Sequence, residues 1–265
     1  MPKVSVIMGV YNIKNRKMAE DAINSILNQT FRDFEFIICD DGSDNDTWSI
    51  ISDIVKNDAR VKIIRNKKNH GLAYSLNKCL KVSSGKYIAR MDADDISYTN
   101  RFEKQVEFLD ANPQYALVSS WSSLFNEKGI WGVRKRVEIP QKKDFLFGPP
   151  AIHAAMMVRA EALEACELYR VSWDTIRAED YDLFMRMYAN GYKMYNIQEP
   201  LYMIREDSDA YKRRNYRNRI KEAHVRLIGF KKLKLYPVGI IYVMKPLIVG
   251  LIPQKILAKM RKENN

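Results

Sequence analysis

Residues 87–95 read Tyr-Ile-Ala-Arg-Met-Asp-Ala-Asp-Asp, a short apolar strand that finishes in three carboxylates, Asp92, Asp94 and Asp95. Three like charges within one turn repel, and they persist in a folded protein when solvated or neutralised by a cation. Asp92 and Asp94 project to the same side of an extended chain, so one hard divalent ion can touch both. Alone, the triplet is equally well a solvated acidic turn. Asp40-Asp41-Gly42-Ser43 ends another apolar run. It reads as a turn in which Asp and Ser cap the next helix and Gly42 takes a positive φ. A carboxylate there can also accept the N3–H of uracil or thymine. Glu179-Asp180 opens an amphipathic segment; acids in a first helical turn are stabilised by the helix dipole, and Asp180 can in addition serve as a general base. His153, one of three histidines, precedes the apolar run Ala154–Val158 and is either a loop anchor or a ligand. Arg90 and Arg101 flank the triplet, where they can bind diphosphate or neutralise the acids.

The elements that must position these groups alternate in type. Val4 to Val10 is apolar without helical period, and Met18 to Leu27 follows with Ala19, Ala22, Ile23, Ile26 and Leu27 at helical spacing. A second strand runs from Phe34 to Cys39, then helix, strand and helix at about 47 to 57, 61 to 65 and 71 to 83, and the strand at 86 to 91 delivers the acidic triplet. Repeated β-α-β units this short require a parallel sheet, Rossmann-like, with helices on both faces, and ligands of such sheets bind beyond the carboxyl ends of the strands. A helix near 99 to 111 and a strand at 115 to 121 follow, residues 126 to 153 show little periodicity and read as loops, and the helix from Asp180 ends at Asn190-Gly191.

At 265 residues and 46% hydrophobic content, one good-sized core and a tail are expected. Cys39, Cys79 and Cys166 lie far apart without a Cys-x-x-Cys pair, which points to a reducing compartment and away from structural zinc. The N-terminus runs straight into a strand without a signal-peptide pattern, so a cytoplasmic protein is expected. The formal charge of +12 is unevenly placed: residues 1–204 hold 28 Lys+Arg against 27 Asp+Glu, and residues 205–265 hold 16 against 5. Ten of those basic residues fall within 212–234, with Ile220, Ala223, Leu227 and Ile228 on one helical face. Val238 to Ile252 is then almost wholly apolar, broken by Lys245-Pro246 and bounded by Pro237 and Pro253. A span needs about 20 apolar residues. An anchor lying in the plane of an anionic membrane surface fits better, the alternative being a helix docked on the catalytic domain or on a second subunit. Nucleic-acid binding is disfavoured, because Tyr211, Tyr216, Phe230 and Tyr236 accompany a long aliphatic run rather than forming a basic aromatic platform. A nucleotidyltransferase would need a Gly-rich triphosphate loop near the N-terminus, and none is present.

Taken in order, Val4-Ser-Val-Ile-Met-Gly-Val-Tyr-Asn12, Ser25-Ile-Leu-Asn-Gln-Thr-Phe31, Asp40-Asp-Gly-Ser43, Asn69-His-Gly71 with Asn77, Gly85-Lys-Tyr-Ile88, Asp92-Ala-Asp-Asp95 and Glu179-Asp-Tyr-Asp-Leu183 resemble the family 2 inverting glycosyltransferases over about residues 3 to 205. The resemblance implies an α/β GT-A fold, with a nucleotide-binding half at about 1–98, an acceptor half at about 99–205, and C-terminal helices over 206–265. It implies a nucleotide-sugar donor and a Mn or Mg ion. By the same resemblance Val10, Tyr11 and Asp41 hold the base and Asp40 supports their turn. Arg90 and Asp92 serve the nucleotide, Asp92 and Asp94 the metal, and Asp180 is the catalytic base; His153, Glu179 and Arg205 are candidates for acceptor or phosphate contacts. Many relatives carry Tyr-Arg-x-His after the last core strand, whereas this chain reads Tyr202-Met-Ile-Arg205-Glu-Asp207, which puts a histidine metal ligand in doubt. The Gln-x-x-Arg-Trp motif and membrane spans of polymerising relatives are absent, so transfer of a single residue is expected. The basic, apolar tail adds the expectation of a lipid-linked saccharide acceptor in capsule, exopolysaccharide or O-antigen synthesis. The protein would then be peripheral on the inner face of the cell membrane, with homo-oligomerisation through the tail as the other use of those helices. The N3–H argument at Asp41 favours a UDP-sugar.

Overall fold

The computed structural model describes residues 1–206 and 216–251. Asp207, Tyr211, the basic residues 212–214 and Pro253 lie outside the described residues. The first part alternates as its periodicity predicts: β1 (Val4–Val10), α1 (Arg16–Leu27), β2 (Phe34–Asp40), α2 (Thr47–Val55), β3 (Val61–Arg65), α3 (Leu72–Leu80) and β4 (Tyr87–Met91). β1 is flanked in parallel by β2 and β4, and β3 lies outside β2. These strands are apolar on both faces because helices cover both, and Val4, Val6, Ile7, Met8, Phe36, Ile37 and Ile38 are all completely buried. α1 begins at Asn15, whose side chain accepts the Met18 N–H at 3.2 Å, and presents Ala19, Ala22, Ile23 and Ile26 to the sheet.

The second part contains β5 (Ile96–Ser97), α4 (Arg101–Ala111), β6 (Tyr115–Asn126), β7 (Gly129–Arg134), β8 (Met157–Arg159), α5 (Ala160–Ala165), α6 (Glu179–Ala189) and β9 (Lys193–Arg205). The sheet order is β3-β2-β1-β4-β8-β6-β9-β5, with β7 hairpinned onto β6. Since β8 is antiparallel to both β4 and β6, and β6 is parallel to β9, six of the nine strands among the described residues point the same way and β5, β7 and β8 oppose them. The carboxyl ends of β1, β2, β4, β6 and β9 therefore gather along one edge of the sheet.

Residues 126–153 are more ordered than their lack of periodicity suggests. They supply β7 and two short 3₁₀ turns, Lys142–Leu146 and His153–Ala155. β7 is an exposed edge strand with no fully buried residue, so it carries no apolar alternation to read. β6 extends to Asn126 instead of stopping at 121: its continuation buries Ser122 and Ser123 and then Leu124 and Phe125, so the serines interrupt the hydrophobic pattern before it resumes.

In the C-terminal region α7 (Tyr216–Lys232) and α8 (Gly239–Leu251) are helical. α7 packs on α6: Val225 and Phe230 are buried in the same apolar cluster as Leu183, Phe184 and Met187. The approach is close enough that a Cβ at Gly229 would stand 2.2 Å from the Met185 sulfur. The buried Arg226 donates to the Leu146 carbonyl and to Glu222, both at 2.9 Å. α8 turns Val243 and Pro246 inward and leaves Ile240, Ile241, Met244, Ile248 and Leu251 exposed. Among the described residues no helix is long and apolar enough to cross a membrane.

Candidate active site

The acidic triplet leaves the end of β4 against a buried cation. Arg90, 3% exposed, grips both oxygens of Asp92 with its two terminal nitrogens. Burial works against its charge, but the Asp92 carboxylate outweighs burial and raises its pKa. The Asp92 N–H donates to the Tyr202 hydroxyl at 3.1 Å. Asp95 is buried and accepts the Arg205 N–H at 2.8 Å, while Arg205 Nε donates to the Asp94 carbonyl at 3.0 Å. Burial, then the charges of Asp92 and Asp94, push the Asp95 carboxyl well above the usual carboxylate range.

A second pair of acids faces the same guanidinium. α6 starts with Glu179, Asp180 and Asp182 in its first turn, and the Tyr181 N–H donates to Asp180 Oδ1 at 2.7 Å. Burial raises the pKa of Asp180, opposed by that N–H and by Arg90. Burial and the adjacent Asp180 push Glu179 up to about 7, again with Arg90 opposing. One guanidinium thus acts on Asp92, Asp95, Glu179 and Asp180 at once. Below them His153 Nε2 and the Tyr169 hydroxyl are 2.7 Å apart, and burial together with Arg90 pushes the imidazole pKa well below its ordinary value. A neutral His153 anchors the floor of the site and offers no charge to a phosphate.

Arg101, the other arginine beside the triplet, is fully buried and has no carboxylate: it donates to the carbonyls of Arg90 at 3.0 Å and Met156 at 2.9 Å, and burial lowers its pKa to about 10. It braces the β4 and β8 backbones that carry the site.

At the end of β2, Asp41 is buried and ties down the loop after β3. Its Oδ1 accepts from Asn66 Nδ2 at 2.7 Å and His70 N at 3.0 Å, and its Oδ2 from Gly71 N at 2.8 Å. Asp40 caps its own turn through Ser43 N at 3.0 Å, and Arg65 Nε lies 3.0 Å from its other oxygen, an ion-pair distance without hydrogen-bond alignment. Gly42 is required twice over, since its φ is +69° and a Cβ there would stand 2.4 Å from the Lys68 backbone. Val10 is buried and its carbonyl accepts the Asp41 N–H at 2.9 Å, whereas the Tyr11 ring is 48% exposed at the same strand end. An open cleft of about 280 Å³ lies between His70-Gly71, at the start of α3, and Val171, Thr175, Ile176 and Glu179 ahead of α6. The start of α3, whose His70 and Gly71 N–H groups donate to Asp41, and Glu179 of α6 therefore line one cleft.

The loop from 166 to 178 is held in place by charge. Arg170 donates to Asp174 through both terminal nitrogens at 2.9 Å and to Asp182 at 3.0 Å, Arg186 donates to Asp182 at 2.7 Å, and His224 of α7 meets Asp174 at 2.8 Å. Asn77 exchanges two hydrogen bonds with the Tyr169 backbone, at 2.7 and 3.0 Å. Gln29 reaches from the end of α1 to the Tyr98 carbonyl at 2.7 Å and accepts the Phe102 N–H at 3.1 Å, fixing the turn after the triplet. The motif residues Gln29 and Asn77 thus act on backbone. Sequence reasoning missed Tyr202 beneath Asp92, Glu222 of α7, whose charge raises the pKa of Asp180, and Arg136 after β7, which Asp180 also influences. No spacing signals them, because each arrives from a different element.

The triplet's donor set is all carboxylate, hard oxygen that suits Mg or Mn. Both Asp92 oxygens are occupied by Arg90. Among the described residues no three His, Cys, Asp or Glu side chains form a metal-holding group. An ion here would complete its shell with donor phosphate and water, as Mg commonly does.

The model of Glycosyl transferase family 2 matches residues 5–166. EpsE of Bacillus subtilis, named as a glycosyltransferase, is 41% identical over 99% of this chain and 94% of its own length. The Escherichia coli protein WfaP, named as a UDP-Glc:alpha-D-GlcNAc-diphosphoundecaprenol beta-1,3-glucosyltransferase, is 30% identical over 87% of this chain and 88% of its own. The mannosyltransferase PcManGT of Pyrobaculum calidifontis, solved with GDP-Man and Mn2+, shares the fold with a TM-score of 0.62 at 19% identity, covering 99% of this chain and 80% of that one. The GT-A expectation holds, and the strand-end carboxylates and the acids of α6 stand on a scaffold whose lineage is shown: this chain is a glycosyltransferase and belongs to family 2.

Proposed function

We propose that the protein moves one sugar from a UDP-sugar to a hydroxyl of a diphosphate-lipid-linked saccharide, with inversion at the anomeric carbon and with Mn or Mg bound at the triplet. The observation that carries this reading is the buried guanidinium of Arg90, which grips Asp92 and is near enough to Glu179 and Asp180 to favour their ionised forms. It holds donor-side and acceptor-side acids in one electrostatic unit. Asp94, with Asp92, would hold the ion, which supplies charge stabilisation to the departing diphosphate. Arg205, anchored on Asp94 and Asp95, offers a cation to the same phosphates. Asp41, with Val10 and the Tyr11 ring, receives the base, where a carboxylate accepts the N3–H that uracil has and cytosine lacks.

Asp180 takes the proton of the acceptor hydroxyl as its oxygen bonds the anomeric carbon, and the bond from that carbon to the diphosphate oxygen breaks with its electron pair leaving on the nucleotide. Burial makes Asp180 a stronger base than an exposed aspartate, and Arg90 favours its ionised state. A lipid-linked acceptor is supported by the printed name of WfaP and by α8, whose exposed Ile240, Ile241, Met244, Ile248 and Leu251 neighbour Lys231, Lys232, Lys234 and Lys245. Apolar residues in the acyl boundary and lysines on anionic headgroups would hold the enzyme on the inner face of the membrane.

The test is NMR of the reaction with UDP-sugars and a saccharide-diphosphate-lipid on anionic vesicles. UDP and an inverted linkage are expected, and Ile241→Asp should release protein from the vesicles. Release of inorganic diphosphate instead of UDP would identify a nucleotidyltransferase, and vesicle binding untouched by Ile241→Asp would remove α8 as the anchor.

A further inference from the structure

Among the described residues Arg136 forms no ion pair with a carboxylate. Its guanidinium donates to a carbonyl, that of Lys135 at 2.9 Å, and its Nε is buried with no hydrogen-bond partner. Its backbone is fixed: its carbonyl accepts from Trp121 Nε1 at 3.1 Å and Gln198 Nε2 at 3.2 Å. The next residues are stitched to β9, with the Val137 and Glu138 carbonyls both accepting from Asn196 at 2.7 Å. Arg134 stands close enough to disfavour the charge on Arg136, and Asp180 close enough to favour it. Arg134 itself meets Glu206 at 3.3 Å. A half-buried guanidinium with an orphaned nitrogen, next to a second guanidinium, is costly unless an anion completes it.

The position of this pair narrows the choice of anion. The cleft opens at His70-Gly71, on the β1-β2-β3 side of the sheet, whereas Arg134 ends β7 and Arg136 follows it, beyond β4 and β8. Asp180 influences Arg136, so the two cationic and anionic groups share the acceptor side of the site. From Arg136 the chain leads to the exposed apolar helix: Lys142 Nζ donates to the Lys234 carbonyl at 2.9 Å, and the exposed Phe147 ring packs edge-on against Tyr242 of α8 at 5.4 Å. The segment 134–147 thus carries the guanidiniums at one end and touches α8 at the other, while the base stands on α6, so hydroxyl, diphosphate and hydrocarbon of a lipid-linked saccharide each have a counterpart.

We infer that Arg136, supported by Arg134, binds the diphosphate of the acceptor and so makes the enzyme select a sugar carried on a diphosphate-lipid over the same sugar on a neutral chain. The inference rests on the acceptor reading given under the proposed function. It is tested with UDP-glucose as donor and two acceptors on vesicles, a GlcNAc-diphosphate-undecyl lipid and the matched undecyl GlcNAc glycoside. In the wild type kcat/KM favours the diphosphate acceptor. Arg136→Gln lowers that ratio about tenfold, the size expected for one charge-assisted phosphate contact, Arg136→Lys restores part of it, and KM for UDP-glucose and inhibition by UDP stay unchanged. A preference that survives Arg136→Gln, or an equal fall on both acceptors, overturns the inference alone. A rise in the UDP inhibition constant overturns it in favour of the donor diphosphate, and a wild type with no preference between the acceptors overturns the acceptor reading and the inference together.

Discussion

Asp180→Asn abolishes sugar transfer, lowering kcat by about 10³-fold, and leaves donor binding intact. The size follows from the usual contribution of a positioned general base, roughly 10² to 10⁴. The Asn side chain keeps an oxygen for the Tyr181 N–H, which Asp180 now accepts at 2.7 Å, so the start of α6 is preserved and only the basic site is lost. Transfer rate and donor-induced thermal shift, measured on one preparation, separate the two effects. A variant with full turnover would remove Asp180 from the mechanism. The same residue sets the pH dependence. Asp180 and Glu179 both have raised pKa values, Glu179 reaching about 7, so the acid limb of kcat lies above the ordinary carboxylate range and activity rises with pH through it. Glu222→Gln removes a like charge that raises the pKa of Asp180 and should move that limb to lower pH. For stability the sign is opposite. The folded protein binds the Glu179 proton more tightly than the unfolded chain, so this residue's contribution is full below its unfolded pKa, near 4.5, and is lost as pH rises toward 7.

Asp94→Ala and Asp95→Ala give opposite results although the residues are adjacent. Asp94→Ala removes the Mn-dependent part of the thermal shift produced by UDP and lowers transfer by about 10³-fold, the scale of losing one electrostatic element from a preorganised site. The lost charge is one that raises the pKa of buried Asp95. Asp95→Ala strips the Arg205 N–H of its 2.8 Å acceptor and lowers stability by about 1–3 kcal/mol. Thermal melts of both variants with UDP, with and without Mn, distinguish a ligand site from a structural acid. A Mn-dependent shift that persists in Asp94→Ala would place the ion elsewhere.

The first half of the fold is legible because its strands are buried on both faces and its helices on one, so β1 to β4 and α1 to α3 write their periods into the chain within a few residues of where they stand. β7 and the end of β6 are not legible, since an edge strand without buried residues and a strand that buries serines carry no such signal. At the site, strand-end carboxylates and the α6 acids could be named from local sequence. What could not be read is who answers them. Arg90 is two residues from Asp92 and was visible as a neighbour, but its action on Glu179 and Asp180, some ninety positions away, exists only after the sheet closes. The tail shows the same limit: its composition announces a basic and apolar segment, while the burial of Phe230 and Val225 against α6 depends on a shape complementarity set by Gly229 and Met185.

The most direct measurement is anomalous diffraction at the manganese edge from crystals soaked with Mn and a UDP-sugar. The account predicts one peak at the Asp94 carboxylate bridging to the diphosphate, with uracil against Asp41 and the anomeric carbon facing Asp180. A nucleotide bound away from the ends of β2 and β4, with no metal peak beside Asp94, would contradict it.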